Sequence, residues 1–354
     1  MIKEIGSIFP LSDRMLQQAR SELNHFTGDR VYYSLCREAL LGIAQACADS
    51  AKKVLLPAYT CQTVITPFEE EEWRCEYYSI KKNLRIDTDN LLDTVNQYQP
   101  SLLVVHPYYG MEFNEIEELT LKHIVDKGVK IIVDLTQCLF SARNYEYASF
   151  IVASYRKWMP IPDGGFLMNK SGLDIQQPET EFTAFVDFET RAMSLRGKYF
   201  ENGEQSIKDT SIRLSKQADH LSESNIAPHQ MSQVAYNILQ QEDCANNQNK
   251  RIANYTYLFS HIQENERVHK ICHNLNEVTT APLYFPLYVE DRRELQNRLA
   301  QQAVYAPVLW PLEEERLAIN DTIRYIYDHI LVIPCDQRYD VNDLQRAVEI
   351  INKF

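Results

Sequence analysis

Residues 129–137 read V-K-I-I-V-D-L-T-Q, and this stretch decides the fold. An apolar run broken by one lysine and ended by an acid describes a short strand covered on both faces, as in a parallel sheet. Working outward, the same pattern recurs at 102–108 (L-L-V-V-H-P-Y), 53–57 (K-V-L-L-P) and 74–80 (R-C-E-Y-Y-S-I). Polar, helix-prone segments such as 115–126 separate these runs. Strands that alternate with helices predict an α/β fold with a mostly parallel sheet flanked by crossover helices.

The rhythm changes after residue 149. F-I-V-A-S at 150–154 and G-F-L-M at 165–168 are joined by a link too short for a crossover helix, so these two strands should run antiparallel. That link holds Gly164 and Gly165, an adjacent pair in a chain with only 10 glycines. A scarce residue used twice in succession predicts backbone that bends sharply or approaches another segment closely. Residues 171–220 look polar and patternless, and 231–264 read as one long helix. Beyond it lie apolar runs at 283–289, 303–309 and 330–334, with helical stretches at 292–302 and 341–352. They predict a smaller α+β domain. The expected division falls inside the long helix, giving a large domain over 1–245 and a small one over 246–354.

The chain has 354 residues and a net charge of −13. A field of that sign repels polyanions and argues against nucleic-acid binding. Eight cysteines without a C-x-x-C pair read as reduced thiols, which points to the cytoplasm. The first residues lack the apolar core of a secretion signal, and no apolar run reaches the ~18 residues of a membrane span. H-K-I-C-H at 269–273 has no second pair of ligands, so no metal site is expected.

Chemistry concentrates in one constellation. Asp134 ends a strand and Gln137 follows in D-L-T-Q; Ser154 ends another strand and Lys157 follows in S-Y-R-K-W. In open α/β sheets ligands bind at such strand ends. A lysine amine for covalent attachment, a carboxylate and a hydroxyl are the groups that pyridoxal 5'-phosphate (PLP) requires. The lysine joins the aldehyde, the carboxylate keeps the pyridine nitrogen protonated, and hydroxyls with a helix N-terminus hold the phosphate. Taken singly, Asp134 reads equally well as a helix cap and Lys157 as a surface lysine.

These motifs, with S-L-C-R-E-A-L at 34–40, L-P-A-Y-T-C-Q-T-V at 56–64, V-V-H-P-Y-Y-G at 104–110 and D-G-G-F-L at 163–167, resemble the DegT/DnrJ-type sugar aminotransferases. That branch belongs to the fold-type-I, aspartate aminotransferase superfamily of PLP enzymes. The resemblance implies a seven-stranded sheet, a homodimer with shared active sites, and a PLP-dependent aminotransferase. It would move an amino group from an amino-acid donor to a keto acceptor, in the sugar branch a nucleotide-linked keto sugar. Lys157 would form the Schiff base, Asp134 would face the ring nitrogen and Gln137 would lie near the ring. The N–H groups of Cys36 and Arg37 would hold the phosphate together with Ser154, and Thr60 and Cys61 would approach the ring. Where relatives carry a small Gly-Thr pair, this chain has Cys36-Arg37. Cys61 stands where an aromatic often stacks, so that contact is either weaker here or supplied from elsewhere, such as Tyr59 or Tyr108, which are also candidates for substrate binding. The same fold admits a lyase, a decarboxylase, a sugar dehydratase or a non-catalytic sensor.

Arg338, in P-C-D-Q-R-Y, is a candidate for gripping a substrate carboxylate or phosphate; the alternative is a surface arginine paired with Asp336 or Asp340. Arg251 and Asn254 share one helix face and read as a solvated face or a hinge contact.

Overall fold

In the computed structural model, residues 3–21, 26, 28–48, 50–224 and 227–354 are described. Strands β1 (Arg30–Tyr33), β2 (Lys53–Pro57), β3 (Arg74–Tyr78), β4 (Leu102–Val105), β5 (Lys130–Asp134), β6 (Phe150–Ser154) and β7 (Gly165–Asn169) form one seven-stranded sheet, ordered β1-β7-β6-β5-β4-β2-β3. Strands β2 to β6 pair in parallel. β7 runs antiparallel to both β6 and β1, as the short link predicts. Every residue of β4 and of β6 is buried, because helices cover both faces of the sheet.

The C-terminal part adds β8 (Val268–Lys270), β9 (Tyr284–Val289) and β10 (Ile330–Pro334), an antiparallel sheet ordered β10-β9-β8. Its own core includes Leu295 and Leu299 from the helix Arg292–Gln301, and Leu344, Ala347 and Ile351 from the helix Val341–Asn352. Ile5 joins this core from the N-terminal arm, which bridges to Val304.

Three expectations need correction. The stretch 171–220, read as patternless, holds most of a helical hairpin, Thr183–Asn202 and Gln205–Ser224, turned at Gly203 with φ +75°. Its inward positions include Glu189, Thr190, Arg196 and Ser211, so an apolar stripe never declares itself in the sequence. The long helix of 231–264 is two helices, Gln233–Gln241 and Cys244–His261. Asp243 opens the second by accepting a hydrogen bond from Asn246 N at 3.0 Å. The apolar run 303–309 is not a sheet strand: it makes one bridge, and Pro307 has no N–H with which to extend a ladder.

Candidate active site

The C-terminal ends of four adjacent parallel strands converge on one cavity of about 220 Å³. Cys61 follows β2, His106 follows β4, Asp134 and Gln137 close β5, and Ser154 and Lys157 close β6; all six line it. The N-terminus of the helix Cys36–Ala46 supplies Cys36 and Arg37. Of the residues singled out for the cofactor, Thr60 alone does not line the cavity; it is buried behind His106.

The glycine pair explains how that helix gets so close. Gly164 has φ +140°, and a Cβ on Gly165 would stand 2.6 Å from Cys36 N. Only a residue without a side chain lets the helix start seat directly on β7. Asp163 ties the turn down: its carboxylate accepts from Ser232 N at 2.9 Å and from Ser232 Oγ at 2.6 Å. Burial pushes the Asp163 carboxyl up to about 7.

Asp134 is fixed from two sides. Its Oδ1 accepts from Thr136 N at 2.8 Å, and its Oδ2 lies 3.4 Å from His106 Nδ1. His106 Nε2 meets Thr60 Oγ1 at 2.9 Å. Burial lowers the His106 pKa, against the opposing pull of Asp134, so the imidazole is neutral near pH 7 and leaves the carboxylate charge uncompensated. Gln137 Oε1 accepts from Tyr109 N at 3.2 Å, and its amide nitrogen donates to no acceptor among the described residues.

The opposite end of the cavity is cationic and rich in donors. Leu35 caps the helix with no polar side chain, so the N–H groups of Cys36 and Arg37 find no acceptor among the described residues. The Ser154 hydroxyl is equally free, while Ser154 N donates to Thr136 Oγ1 at 3.1 Å. Arg37 donates through Nη1 to Ser222 O at 3.1 Å; burial and the neighbouring Arg156 lower its pKa. Lys157 is exposed in the turn after β6, and its amine makes no hydrogen bond or ion pair among the described residues. Orphaned helix N–H groups, a free hydroxyl, a seat that a Cβ would fill, a free amine and a lone carboxylate fit a phosphorylated aldehyde with a basic ring nitrogen.

A second cavity of about 600 Å³ adjoins the first and shares Arg156 and Lys157 with it. The N-terminal arm at Gly6 to Phe9, Glu189 from the hairpin, and Arg251, Tyr284 and Arg338 from the C-terminal part border it. Arg338 pairs through Nε and Nη2 with Asp336 at 2.7 and 2.8 Å, and donates through Nη1 to Ser7 O and Ile8 O. Its fork is closed: the side chain braces the N-terminal arm, with no donor pair turned to an incoming anion. Arg251 and Asn254 are buried, contrary to a solvated face. Arg251 lies 4.4 Å over the Trp158 ring and Asn254 donates to three carbonyls of the 335–339 loop. Tyr59 and Tyr108 line neither cavity; both are core residues.

Thr136, Arg156 and Trp310 are among the residues lining the smaller cavity that sequence reading did not single out. Thr136 and Arg156 sit inside quoted motifs, D-L-T-Q and S-Y-R-K-W, and adjacency was their signal. Trp310 comes from a loop far along the chain and gives no local signal. Among the described residues no cluster of three or more His, Cys, Asp or Glu could hold a metal ion, and no helix is long and apolar enough to cross a membrane. All eight cysteines are free.

No family model and no curated protein matches the sequence. Solved structures do match. PseC of Helicobacter pylori, an aminotransferase involved in the biosynthesis of pseudoaminic acid, is 12% identical with a TM-score of 0.68, over 99% of each chain. The aminotransferase TlmJ of Streptoalloteichus hindustanus is 14% identical with a TM-score of 0.69, over 99% of this chain and 98% of that one. NtdA of Bacillus subtilis, solved with its cofactor PMP bound, is 14% identical with a TM-score of 0.65, over 97% of this chain and 77% of that one. At such identities the likeness carries the fold and not the reaction. The chain has the fold of the fold-type-I aminotransferases, from its first strand to its last helix.

Proposed function

We propose that this protein is a PLP-dependent aminotransferase that moves an amino group from an amino-acid donor to a keto acceptor. The observation that carries the reading is the free amine of Lys157, set at the junction of two cavities, with Asp134 lining the smaller of them. When bound, the cofactor supplies the electron sink that stabilises a carbanion at the Cα of the amino donor. The chain's own residues do the rest. Lys157 would hold the cofactor and, once released, its Nζ would take the proton from that Cα. Asp134, held by Thr136 N and faced by a neutral His106, keeps the ring nitrogen protonated. The N–H groups of Cys36 and Arg37 with the Ser154 hydroxyl hold the phosphate.

The larger cavity is the candidate substrate site, and a nucleotide-linked keto sugar is the acceptor we favour. Its support is indirect: neighbours with this fold include enzymes named as sugar aminotransferases, such as CalS13 of Micromonospora echinospora. We further propose a cytoplasmic homodimer with shared sites, consistent with eight free thiols, and a division into 1–245 and 246–354. Sedimentation of the holoenzyme at dilute concentration tests the dimer. The reaction is tested by adding glutamate to the PLP-loaded protein. The cofactor absorbance should shift to that of the pyridoxamine form, and a keto sugar should reverse it. A loaded protein that stays spectrally unchanged with every amino donor would overturn the assignment.

A further inference from the structure

One aromatic ring lining the smaller cavity plays no part in the chemistry described so far. Trp310 lines that cavity together with Cys61, His106 and Asp134. It is half-buried, and its indole N–H makes no hydrogen bond among the described residues. His106 is the other ring in the lining, and it is engaged between Asp134 and Thr60. Cys61, at the end of β2, offers only a thiol, whose sulfur accepts from Thr63 Oγ1 at 3.0 Å. Among the described residues the cavity thus has a single large ring free to cover a flat ligand, and it comes from the segment between the helices Arg292–Gln301 and Asp321–His329.

The position of that ring is held from the large sheet. Tyr59 follows β2 and Tyr109 follows β4, and their hydroxyls stand 3.2 Å apart. Both donate to the carbonyl of Leu309, the residue before Trp310, Tyr109 at 3.3 Å. Burial raises the Tyr59 pKa well above the ordinary phenol value, so its hydroxyl keeps the proton that this hydrogen bond uses. The Tyr59 ring also packs on the indole, with centroids 5.2 Å apart, and His106 flanks it at 6.5 Å. Two buried hydroxyls converging on one loop carbonyl fix the backbone, and a tilted aromatic contact fixes the side chain.

We infer that Trp310 is the side chain that covers the cofactor ring, and that Tyr59 and Tyr109 are positioning residues that hold it there through the Leu309 carbonyl. This rests on the PLP reading above and adds to it a specific ring partner from the C-terminal part of the chain. It also gives Tyr59 a role that its burial permits. Cofactor binding and docking of the 303–320 loop then become one linked event, since the same indole takes part in both.

The test titrates the cofactor-free protein and its variants with PLP, following absorbance, visible circular dichroism and tryptophan fluorescence. Trp310→Ala and Trp310→Leu should each weaken PLP binding roughly fivefold to tenfold and diminish the induced dichroism, whereas Trp310→Phe should stay within about threefold of wild type. Tyr59→Phe should weaken binding about twofold to threefold on its own and add nothing in the Trp310→Ala background. Trp73 and Trp158 are 4% and 0% exposed, so the part of the fluorescence quenching by PLP that Trp310→Phe removes belongs to position 310. If Trp310→Ala does not fold, the comparison of Leu with Phe decides, because both fill space and only one is aromatic. Equal affinity of Leu and Phe variants, or wild-type affinity and dichroism in Trp310→Ala, would overturn the inference while leaving the PLP assignment intact. A wild-type protein that neither takes up PLP nor develops dichroism would overturn both.

Discussion

The smaller cavity takes its polar groups from the ends of four neighbouring strands of one sheet. The larger takes them from the N-terminal arm, a helix of the hairpin and the loops of the second sheet. In the first, local backbone fixes the groups that matter: Thr136 N on Asp134, Tyr109 N on Gln137, and the Gly165 seat under Cys36. In the second, one ion pair, Arg338 with Asp336, ties together segments more than 300 residues apart in sequence, by way of Ser7 O and Ile8 O. Chemistry that demands fixed geometry sits where strand register supplies it. On the function proposed above, a substrate would be accommodated where separate segments meet.

The largest effect that sharpens this contrast is expected at Lys157. Lys157→Ala should lower turnover by about 10³–10⁴-fold while PLP still binds, read by steady-state kinetics beside equilibrium dialysis. Asp134→Asn should follow, with a loss of roughly 10²–10³-fold in turnover at near-normal cofactor occupancy, since it removes a preorganised charge and keeps the shape. Arg338→Ala should act on stability: leaving Asp336 unpaired costs about 3 kcal/mol in urea denaturation, with cofactor affinity unchanged. Gly165→Ala should cost about 1–3 kcal/mol and weaken PLP binding as well, because the added Cβ meets Cys36 N at 2.6 Å. If instead Arg338→Ala weakened PLP binding and Gly165→Ala left it untouched, the division of labour between the cavities would be reversed.

Asp163 gives an effect that depends on pH, and its sign is fixed. Its carboxyl is raised to about 7 in the folded protein by burial. In the unfolded chain it titrates near the ordinary ~3.9. Between these values the native state holds a proton that the unfolded state has lost. The Asp163 contribution is therefore complete below the unfolded pKa and declines as pH rises toward 7, by at most about 1.4 kcal/mol per pH unit. Asp163→Asn should flatten that part of the stability profile between pH 4 and 7, measured as the difference between wild-type and variant melting curves.

The same contrast explains what the sequence could reveal. Strand runs such as 102–105 and 130–134 are legible because burial on both faces leaves no room for polar residues. The site motifs are legible because each lies within three residues of such a strand. The helical hairpin 183–224 was invisible because its inward face mixes apolar residues with Glu189, which accepts from Ser215 Oγ, Arg196, which faces Glu4, and Ser211, which donates to Ala192 O. For Arg338 the pairing with Asp336, two residues away, is legible, whereas its hold on Ser7 O and Ile8 O is not, because they come from the far end of the chain. Trp310 reaches the cavity from a loop whose sequence, A-V-Y-A-P-V-L-W-P, carries an apolar strand-like pattern and no sign of where its indole will point. Long-range partners and loop trajectories are set by packing, which no local pattern encodes.

The most direct measurement of the central claim is chemical. The protein is reconstituted with PLP, reduced with borohydride, digested and mapped by mass spectrometry. The expected result is a single pyridoxyl-modified peptide, with the modification on Lys157. A modification on another lysine, or none on a protein that has been shown to be folded, would contradict it.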